Sequence, residues 1–500
     1  MSQGVSSPTP YTPLRYAFLF LPYLAAEVFA EWAVLSYFLA WLGSFWILWF
    51  TVTGKVKPLP GDRPFSGQVM RPVVLTQLMF ASFTALTSIF YVLNLMGYVY
   101  LDFQAPVGLG ESSELALAAQ AQRYYVLAHA SVAAGMLFTM SYEDSGRYQV
   151  VTRLSSTWLF LLIASMSFVI GAGLELLGGG LFQFRIRFAD LAMVASVLSL
   201  VFAIWDRHGP LIIATGLLYG ANLAMAAMSG WKEELLVAIV LPLVFLYPVY
   251  RRFVTIVGPI ALILFLTFVP AFNGIFRSLH WEGDMDAEEA TIEAARQIVS
   301  GEVNIAARNW SFFTGRFSEI GMFVSYIEAV PDRQPHYGTQ IVQQSAESLI
   351  PRVLWAEKPN TERLSMERAY ETGVIDRRSS VSAKPQYVVD AYLSAGALGI
   401  FLACLLFGMA ASWFSRTAER WFGGYWIGTA LIYTAFFRLM WKGQAFEFMA
   451  NTLFWSFVLM GLLFLAGRMA GVIVPAEQVP KPSEPPSEAT PDRYARSRSR

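Results

Sequence analysis

The sequence predicts an all-α polytopic membrane protein with about twelve transmembrane helices and one large, partly helical extracytoplasmic loop. The chain of 500 residues is 55% hydrophobic and only 14% charged, whereas soluble globular domains carry about a quarter charged residues. Apolar windows of about 18 or more residues recur along most of the chain, and each can cross about 30 Å of hydrocarbon as a helix. These runs lack the period-two alternation of membrane β-strands, which excludes a β-barrel.

The spans follow from the apolar runs in chain order. Glu27 and Glu31 interrupt the first run, which is therefore either one short span followed by another or a single long helix. We place the spans near 14–30, 33–53, 73–98, 123–141, 155–177, 189–205, 209–227, 234–250, 253–272, 388–413, 423–438 and 447–467. The predicted organisation is a transmembrane bundle over 1–272, a large periplasmic loop over 273–387, transmembrane helices over 388–468 and a disordered cytoplasmic tail over 469–500.

Lys and Arg in the short loops predict the orientation, because cytoplasmic loops carry an excess of these residues. Loops 54–72, 142–154 and 414–422 are basic and fall on one side of a twelve-span bundle, so this side and both termini are predicted to be cytoplasmic. Five cations fall on the outer side against this bias, which favours anionic-ligand binding there. They are Arg185, Arg187, Lys232, Arg438 and Lys442.

The large loop is rich in aromatic residues and arginine and is predicted to fold back over the outer mouth of the bundle. Its residues 286–300 have the periodicity of an amphipathic helix, and 305–330 continue with helical periodicity that places Arg316 and Glu319 near one face. A short helix follows around 339–349. Prolines then stiffen an extended stretch over 345–360, which is predicted to form a lid or wall of a site at the bilayer surface.

The residues that often bind metals or nucleotides are absent from the sequence in their usual spacings. The only cysteine, Cys404, lies in an apolar run, so neither an intramolecular disulfide nor a Cys-based metal site is expected. There is no HExxH, Walker loop or GxGxxG motif, which disfavours nucleotide-sugar synthases and ATP-driven transporters. We expect no metal, no cofactor and no nucleic-acid partner.

Four passages together resemble a known family. They are "MAAMSGWKEELLVAIVLPLVFLYPVYRR" (225–252), "GRFSEIGMF" (315–323), "SLIPRVLWAEKPN" (348–360) and "SVSAKPQYVVDAYLSAGALGIFLACLLFGM" (380–409). In order and spacing they resemble passages of bacterial oligosaccharide repeat-unit polymerases, the Wzy-type O-antigen and exopolysaccharide polymerases. The resemblance covers 225–445, while the N-terminal half is similar in hydropathy alone.

The resemblance implies a metal-independent glycosyltransferase of the bacterial inner membrane. In this family a growing glycan leaves its undecaprenyl diphosphate and is joined to the non-reducing end of a new lipid-linked repeat unit. The implied partners are the undecaprenyl-diphosphate-linked glycan, the lipid bilayer, a chain-length regulator and a flippase. The product is O-antigen, capsule or exopolysaccharide.

This chemistry selects the candidate site residues. A diphosphate leaving group needs fixed cations, and Arg binds phosphate oxygens with two parallel hydrogen bonds. The predicted catalytic residues are Arg316, Arg438 and Glu319. The predicted substrate-binding residues are Arg352, Lys358, Lys232, Lys442, Trp355 and Asp390. Glu319, Asp390, Glu447 and His336 are unranked alternatives for the group that accepts the proton of the acceptor hydroxyl. Trp310, Trp355 and Tyr387 are candidates for stacking on sugar rings.

Ordinary structural roles compete with each of these assignments. Arg316 and Glu319 have the spacing of a helix-surface ion pair, and Arg352 and Lys358 have side chains that can reach the lipid headgroups. Lys232 adjoins two glutamates at a helix end, and His336 lies in a Pro-rich turn where a solvated side chain is expected. Arg185 and Arg187 are interpreted as interface anchors.

Three other functions remain open from the sequence. An O-antigen ligase uses a similar donor but transfers finished polymer to the lipid A core. A metal-dependent glycosyltransferase would need acidic ligands in the first outer loop, where Glu27 and Glu31 lie in a stretch that is too short. A transporter of polysaccharide or lipid-linked sugar is disfavoured because the spans between 155 and 272 hold few charges.

Overall fold

The computed structural model describes residues 14–99, 102–103, 112–141, 146–176, 181–228, 232–280, 283, 285–301, 303–317, 319–351, 354–355, 357–378 and 383–479. Helix dominates these residues, as the sequence predicts. The α-helices are α1 (Leu14–Val28), α2 (Ala33–Val52), α3 (Pro72–Met79), α4 (Ser88–Leu95), α5 (Ser113–Thr139), α6 (Ser156–Leu176), α7 (Phe182–Trp205), α8 (Gly209–Met228), α9 (Lys232–Leu246), α10 (Arg251–His280), α11 (Ala287–Val299), α12 (Ile305–Phe312), α13 (Ile320–Ala329), α14 (Gln340–Glu347), α15 (Thr361–Glu371), α16 (Tyr387–Trp421), α17 (Thr434–Phe436), α18 (Arg438–Lys442) and α19 (Phe446–Met469). Wider π-helical turns occupy Phe80–Leu86, Phe313–Phe317 and Tyr425–Tyr433, and 3-10 turns occupy Phe65–Gly67 and Ala476–Gln478.

Eight helices within the described residues are long and apolar enough to cross a membrane. They are Ala33–Val52, Pro72–Leu95, Ser156–Leu176, Phe184–Trp205, Gly209–Ala227, Arg251–His280, Tyr387–Trp421 and Phe446–Met469. The segments predicted to span near 14–30, 123–141, 234–250 and 423–438 are also helical but fall outside this set. Among them, α1 and α9 have only 15 residues each. A total of about twelve spans therefore stays a prediction.

Contacts between helix termini distinguish two ends of the bundle. At one end, which we call the loop end, helices α11–α15 lie, and Trp310 of α12 donates a hydrogen bond to Asn94 of α4 at 2.9 Å. At the opposite end, Arg71 precedes α3 and pairs with Glu419 near the end of α16 at 2.9 Å. The basic loops 54–71 and 414–422 therefore meet at the end that lies away from α11–α15.

Helices α5 and α16 cross in backbone contact near the middle of the bundle. A β-carbon added to Gly135 would lie 2.1 Å from the carbonyl oxygen of Leu405, and one added to Gly408 would lie 2.1 Å from that of Val132. Two glycines that face each other's helix backbone thus permit an approach that any side chain would prevent. This crossing fixes α16 against the buried helix α5.

Helix α16 is broken near its start. Ala395 and Gly396 have non-helical backbone angles, and Gly396 has a φ of 60°, which favours glycine. The break frees carbonyl groups of the preceding turn. The backbone N–H of Tyr337 donates to the Leu393 carbonyl at 2.9 Å, and that of Gly338 donates to Ser394 at 3.0 Å. The turn "PHYG" therefore caps the first segment of α16.

The loop helices agree with the predicted pattern in part. Helices α11 and α14 confirm the predictions for 286–300 and 339–349. The Asp286 side chain accepts hydrogen bonds from two backbone N–H groups at the start of α11. The prediction of continuous helical periodicity over 305–330 is wrong, because Glu319 has a left-handed φ of 54° that separates the π-helical turn from α13. Arg316 and Glu319 thus do not share one helix face.

The predicted extended stretch within 345–360 is also different in the structure. The backbone N–H groups of Leu354 and Trp355 donate to the Pro351 carbonyl at 3.0 and 3.1 Å, and that of Lys358 donates to Trp355 at 3.1 Å. Residues 352, 353 and 356 lie outside the described residues. The described part of this segment is therefore a series of turns.

Two short antiparallel strand pairs join loops at the bundle ends. Strands β1 (Tyr98–Val99) and β2 (Asp102–Phe103) pair with each other, as do β3 (Tyr148–Val150) and β4 (Ile473–Pro475). The predicted disordered tail began at 469, so β4 differs from that expectation because the 146–150 loop offers backbone groups to pair with. Residues 480–500, the remainder of the predicted tail, lie outside the described residues.

Candidate functional site

The first element of the candidate site is the turn at Glu319, at the loop end of the bundle. The side chain of Gln386, the residue just before α16, donates a hydrogen bond to the Glu319 carboxylate at 2.7 Å. A non-glycine residue in the left-handed region costs free energy and tends to persist where function requires it. The strained backbone and the contact with the start of α16 make Glu319 a site candidate.

Arg316 lies in the π-helical turn that leads into Glu319, and its side chain lies outside the described residues. Aromatic rings hold this turn against α4. Phe313 stacks on Phe90 with 5.0 Å between ring centroids, and Trp310 meets the same ring edge-on at 6.2 Å. The backbone that carries Arg316 is therefore anchored to a long helix of the bundle, which suits a residue that must hold a fixed position.

The second element is a small cleft around Arg438, at the start of α18. The Arg438 guanidinium lies 3.1 Å from the Asp190 carboxylate of α7 and 3.8 Å from Glu234 of α9. The cleft encloses about 220 Å³, with the open space at its mouth included. Its lining residues are Asp190, Met193, Val194, Val237, Thr434, Ala435, Arg438 and Trp441. Charged groups from three helices thus meet around one opening.

Arg187 belongs to the same cluster, which corrects its interpretation as an interface anchor. Its guanidinium lies 3.6 Å from Asp190 and donates a hydrogen bond to the Thr452 hydroxyl of α19 at 2.9 Å. Only 12% of its side chain is exposed. Arg185, in contrast, is partly exposed and pairs with Glu175 at 3.3 Å. Asp190 is therefore shared by two arginines, one of them nearly enclosed.

The third element is a buried ion triad that joins α15 to the starts of α16 and α19. The Arg368 guanidinium lies 3.0 Å from one Asp390 oxygen and 3.2 Å from the other. It donates to the two Glu447 oxygens at 2.6 and 3.0 Å. Both carboxylates are fully buried, and the arginine is 2% exposed. One guanidinium therefore holds two carboxylates from two long helices.

Electrostatics explain why Arg368 tolerates this burial. Burial by itself would lower the pKa of the Arg368 guanidinium, but the charges of Asp390 and Glu447 and the hydrogen bonds to Glu447 outweigh that effect and raise this pKa. The arginine therefore stays charged. Such a pair is costly to break, because removal of one partner leaves an uncompensated buried charge.

The segment "SLIPRVLWAEKPN" is attached to α19 beside this triad. The Ser348 hydroxyl donates to the Glu447 carbonyl at 3.1 Å, and the Asn451 side chain donates to the Ser348 carbonyl at 2.9 Å. The Trp455 indole donates to Leu349 at 3.2 Å. The Lys358 ammonium donates to the carbonyls of Ser348 and, at 2.8 Å, of Ile350. The start of the segment is thus held against α19, and Lys358 joins two carbonyl groups of the segment.

The start of α16 connects the first and third elements. The Tyr387 ring packs on Gly443, which follows α18, so closely that a β-carbon on Gly443 would lie 2.7 Å from the ring. Gln386 contacts the Glu319 turn, and Asp390 belongs to the triad. Residues 386–390 therefore join the first and third elements, and Tyr387 also packs beside the end of α18.

The comparisons with known proteins give a family but no function. A family model described as a domain of unknown function (DUF8712) matches residues 21–475. The chain belongs to this family. No curated protein and no solved structure gives a significant match. The matched range includes all three elements of the candidate site.

Four of the nine predicted site residues have side-chain contacts that the structure describes, namely Arg438, Glu319, Lys358 and Asp390, and the partners in these contacts are other residues. The side chains of Arg316, Lys232 and Lys442 and the whole of Arg352 lie outside the described residues, and Trp355 lies half-buried in the turn after Pro351. Asp390 is enclosed, so its described role is to hold Arg368. His336 faces the cap of α16, with its Nδ1 atom 3.4 Å from the Leu393 carbonyl. The substrate-binding roles stay predictions.

Sequence reasoning missed Arg368 and Asp190. Asp190 could have been found, because an acidic residue inside an apolar run of spanning length is rare and often functional. Arg368 lies in the polar helix "TERLSMERAYE", where nothing marks one arginine as buried. Within the described part of the chain, no group of three or more His, Cys, Asp or Glu residues is placed to hold a metal ion.

Proposed function

We propose that this chain is a membrane glycosyltransferase that polymerises undecaprenyl-diphosphate-linked repeat units into O-antigen, capsule or exopolysaccharide. The proposal is carried by one observation: all four passages that resemble the polymerases have contacts at the loop end, either with one another or with α18 and α19. Glu319 and Gln386 join passage 315–323 to passage 380–409. Ser348 contacts α19 beside Asp390, and Glu234 of passage 225–252 reaches Arg438. Distant stretches of sequence thus contribute to one region.

The loop end is the extracytoplasmic end in this proposal. Its support is the distribution of charge, since cytoplasmic ends of membrane proteins are rich in Lys and Arg. The described acidic residues of the opposite end are few, namely Asp62, Asp206, Glu419 and Glu477. Its described basic residues are Arg15, Lys55, Lys57, Arg63, Arg71, Arg147, Arg153, Arg207, Arg251, Arg252, Arg416, Arg420 and Arg468. Both termini are then cytoplasmic, and the membrane is the bacterial inner membrane.

The proposed reaction needs few groups from the protein. A hydroxyl oxygen of the acceptor sugar attacks the anomeric carbon of the donor glycan, and the bond from that carbon to the diphosphate oxygen breaks. The bonding electrons leave with undecaprenyl diphosphate, and the hydroxyl proton passes to a carboxylate. Fixed cations that face the leaving group stabilise its charge, and Arg316 and Arg352 are the proposed ones. Glu319 is the proposed proton acceptor because it adjoins the anchored turn of Arg316.

The first experiment is to delete the gene and to size the lipid-linked glycans by mass spectrometry. A polymerase predicts that single lipid-linked repeat units accumulate and that polymer disappears. Complementation with Arg316→Gln should fail to restore polymer, whereas Arg185→Gln, the same exchange at a partly exposed ion pair, should restore it. Normal polymer length with Arg316→Gln would contradict the assigned role, provided that the variant inserts at the wild-type level.

Two other functions predict different lipid-linked pools. A ligase would leave long lipid-linked polymer to accumulate in the deletion strain.

A transporter is favoured by one observation on α5, where the side chains of Gln122 and His129 are fully buried and find no hydrogen-bond partner among the described residues. Such groups can line a polar path. For a transporter, the total pool would stay unchanged in composition and shift between the two membrane faces.

A further inference from the structure

The cleft around Arg438 contains a buried acceptor that is not fully used. Asp190 is 9% exposed, and one of its carboxylate oxygens lies 3.1 Å from Arg438. The other oxygen lies 3.6 Å from Arg187, too far for a hydrogen bond, and accepts none from any described residue. Buried polar atoms are rarely left without partners, so this oxygen calls for a ligand or a water molecule.

The same cleft contains an unused donor. The Trp441 side chain lines it and is 7% exposed, and its indole N–H donates to no acceptor within the described residues. The other described polar neighbour is already engaged, because the Thr434 hydroxyl donates to the Thr429 carbonyl at 3.0 Å. Buried Trp N–H groups usually find a partner. Among the described residues, an acceptor and a donor without hydrogen-bond partners thus belong to side chains that line one opening.

The chemistry of these two groups selects the ligand. A phosphate oxygen only accepts hydrogen bonds at neutral pH and would be repelled by the Asp190 carboxylate. A hydroxyl both donates and accepts, so it can donate to Asp190 and accept from Trp441. We propose that the Arg438 cleft binds a hydroxyl group of the acceptor sugar and not the donor diphosphate. This proposal rests on the proposed function and gives Arg438 the task of holding Asp190 in place.

The shape of the cleft agrees with such a ligand. Its volume of about 220 Å³ includes the open space at the mouth, and the enclosed part has room for about one water molecule, which is also the size of one hydroxyl group. The apolar residues of its lining are Met193, Val194, Val237 and Ala435. An aromatic side chain and apolar groups beside one carboxylate suit the edge of a sugar ring, which presents both C–H groups and hydroxyls.

The test measures binding to the purified full-length protein in lipid nanodiscs. One probe is the repeat-unit oligosaccharide, released by mild acid from the lipid-linked units that the deletion strain accumulates and then dephosphorylated. The other probe is inorganic pyrophosphate. Trp441→Phe should weaken oligosaccharide binding about threefold to tenfold, the loss of one hydrogen bond, and leave pyrophosphate binding unchanged. Trp413→Phe is the control, because this tryptophan is partly exposed on α16, away from the cleft.

Asp190→Asn gives the sharper contrast because the loss of the charge should weaken binding at a hydroxyl site and strengthen binding at an anion site. A hydroxyl site loses oligosaccharide affinity by about tenfold or more when the charged acceptor is removed. An anion site gains pyrophosphate affinity, since the repulsion disappears. Tighter pyrophosphate binding that competes with the oligosaccharide would overturn the proposal. Unchanged oligosaccharide binding in both variants would also overturn it and assign the cleft to water alone.

The proposed function has a separate test in the same strain. If the deletion strain accumulates no single lipid-linked units, the polymerase proposal fails before any binding is measured. If the units accumulate and both Trp441→Phe and Asp190→Asn bind the released oligosaccharide like the wild type, only the assignment of the cleft fails.

Discussion

Removal of Arg368 should release the loop helices from the bundle. In Arg368→Met the fully buried carboxylates of Asp390 and Glu447 lose their shared cation. Breaking one buried pair by removing a partner costs about 3–5 kcal/mol. Because Arg368 holds both carboxylates, each through two short contacts, we expect a loss at the upper end, about 5 kcal/mol, which is a factor of about 10³–10⁴ in an equilibrium constant.

The assay compares thermal stability in detergent and the rate at which a protease cleaves between α14 and α16. Arg368→Met should lower the melting temperature and raise the cleavage rate. A triple variant that also carries Asp390→Asn and Glu447→Gln should recover most of the loss, because the burial then involves no unpaired charge. Arg377→Met is the control, since Arg377 pairs with Glu367 at the surface.

Melting and cleavage of Arg368→Met at the wild-type temperature and rate would refute this prediction. It is also refuted if the triple variant is no better than the single one, because the loss would then come from packing and not from charge. The melting temperature and cleavage rate of Arg368→Lys should lie between those of the wild type and Arg368→Met, since a single ammonium cannot reproduce the planar fork that reaches both carboxylates.

Three further predictions concern other parts of the molecule. Gly408→Leu should abolish folded protein in detergent extracts because it forces α5 and α16 apart, whereas Gly461→Leu, where a β-carbon meets nothing within 4 Å, should not. Glu319→Gly should melt at or above the wild-type temperature, because glycine relieves the left-handed strain, and should still lose polymer synthesis. Burial raises the pKa of Asp62, but the hydrogen bonds and charge of Arg71 outweigh it and lower this pKa, so the pair's stabilisation is present at neutral pH. Melting curves should show that the wild type loses its advantage over Asp62→Asn as the pH falls below the ordinary value of 3.8.

The sequence was sufficient to predict what depends on local pattern. Apolar runs predicted the helices of the bundle, and amphipathic periodicity predicted α11. The cations that were predicted to lie on the outer side include Arg187 and Arg438, which share Asp190 at the loop end. A cation placed against the insertion bias needs a partner, and this requirement is visible without a structure.

The sequence did not predict what depends on tertiary contacts. Arg368 looks like any other arginine of a polar helix, and only the approach of two membrane helices makes it the cation of a buried triad. Glu319 stands in a stretch of good helical periodicity, yet its contact with Gln386 accompanies a left-handed break. Local propensity favoured the helix, and the tertiary structure overrode it.

The arrangement of α16 agrees better with the proposed transferase than with a carrier. Its first turn carries Asp390, held by Arg368, and its last turn carries Glu419, held by Arg71. Between them, Gly408 lies in backbone contact with α5. A carrier that works by alternating access must let one group of helices rock against another. Such rocking of α16 would break buried ion pairs at a cost of about 3–5 kcal/mol each. A helix held at both ends is instead suited to keep substrates in one place, as a reaction between two lipid-linked sugars requires.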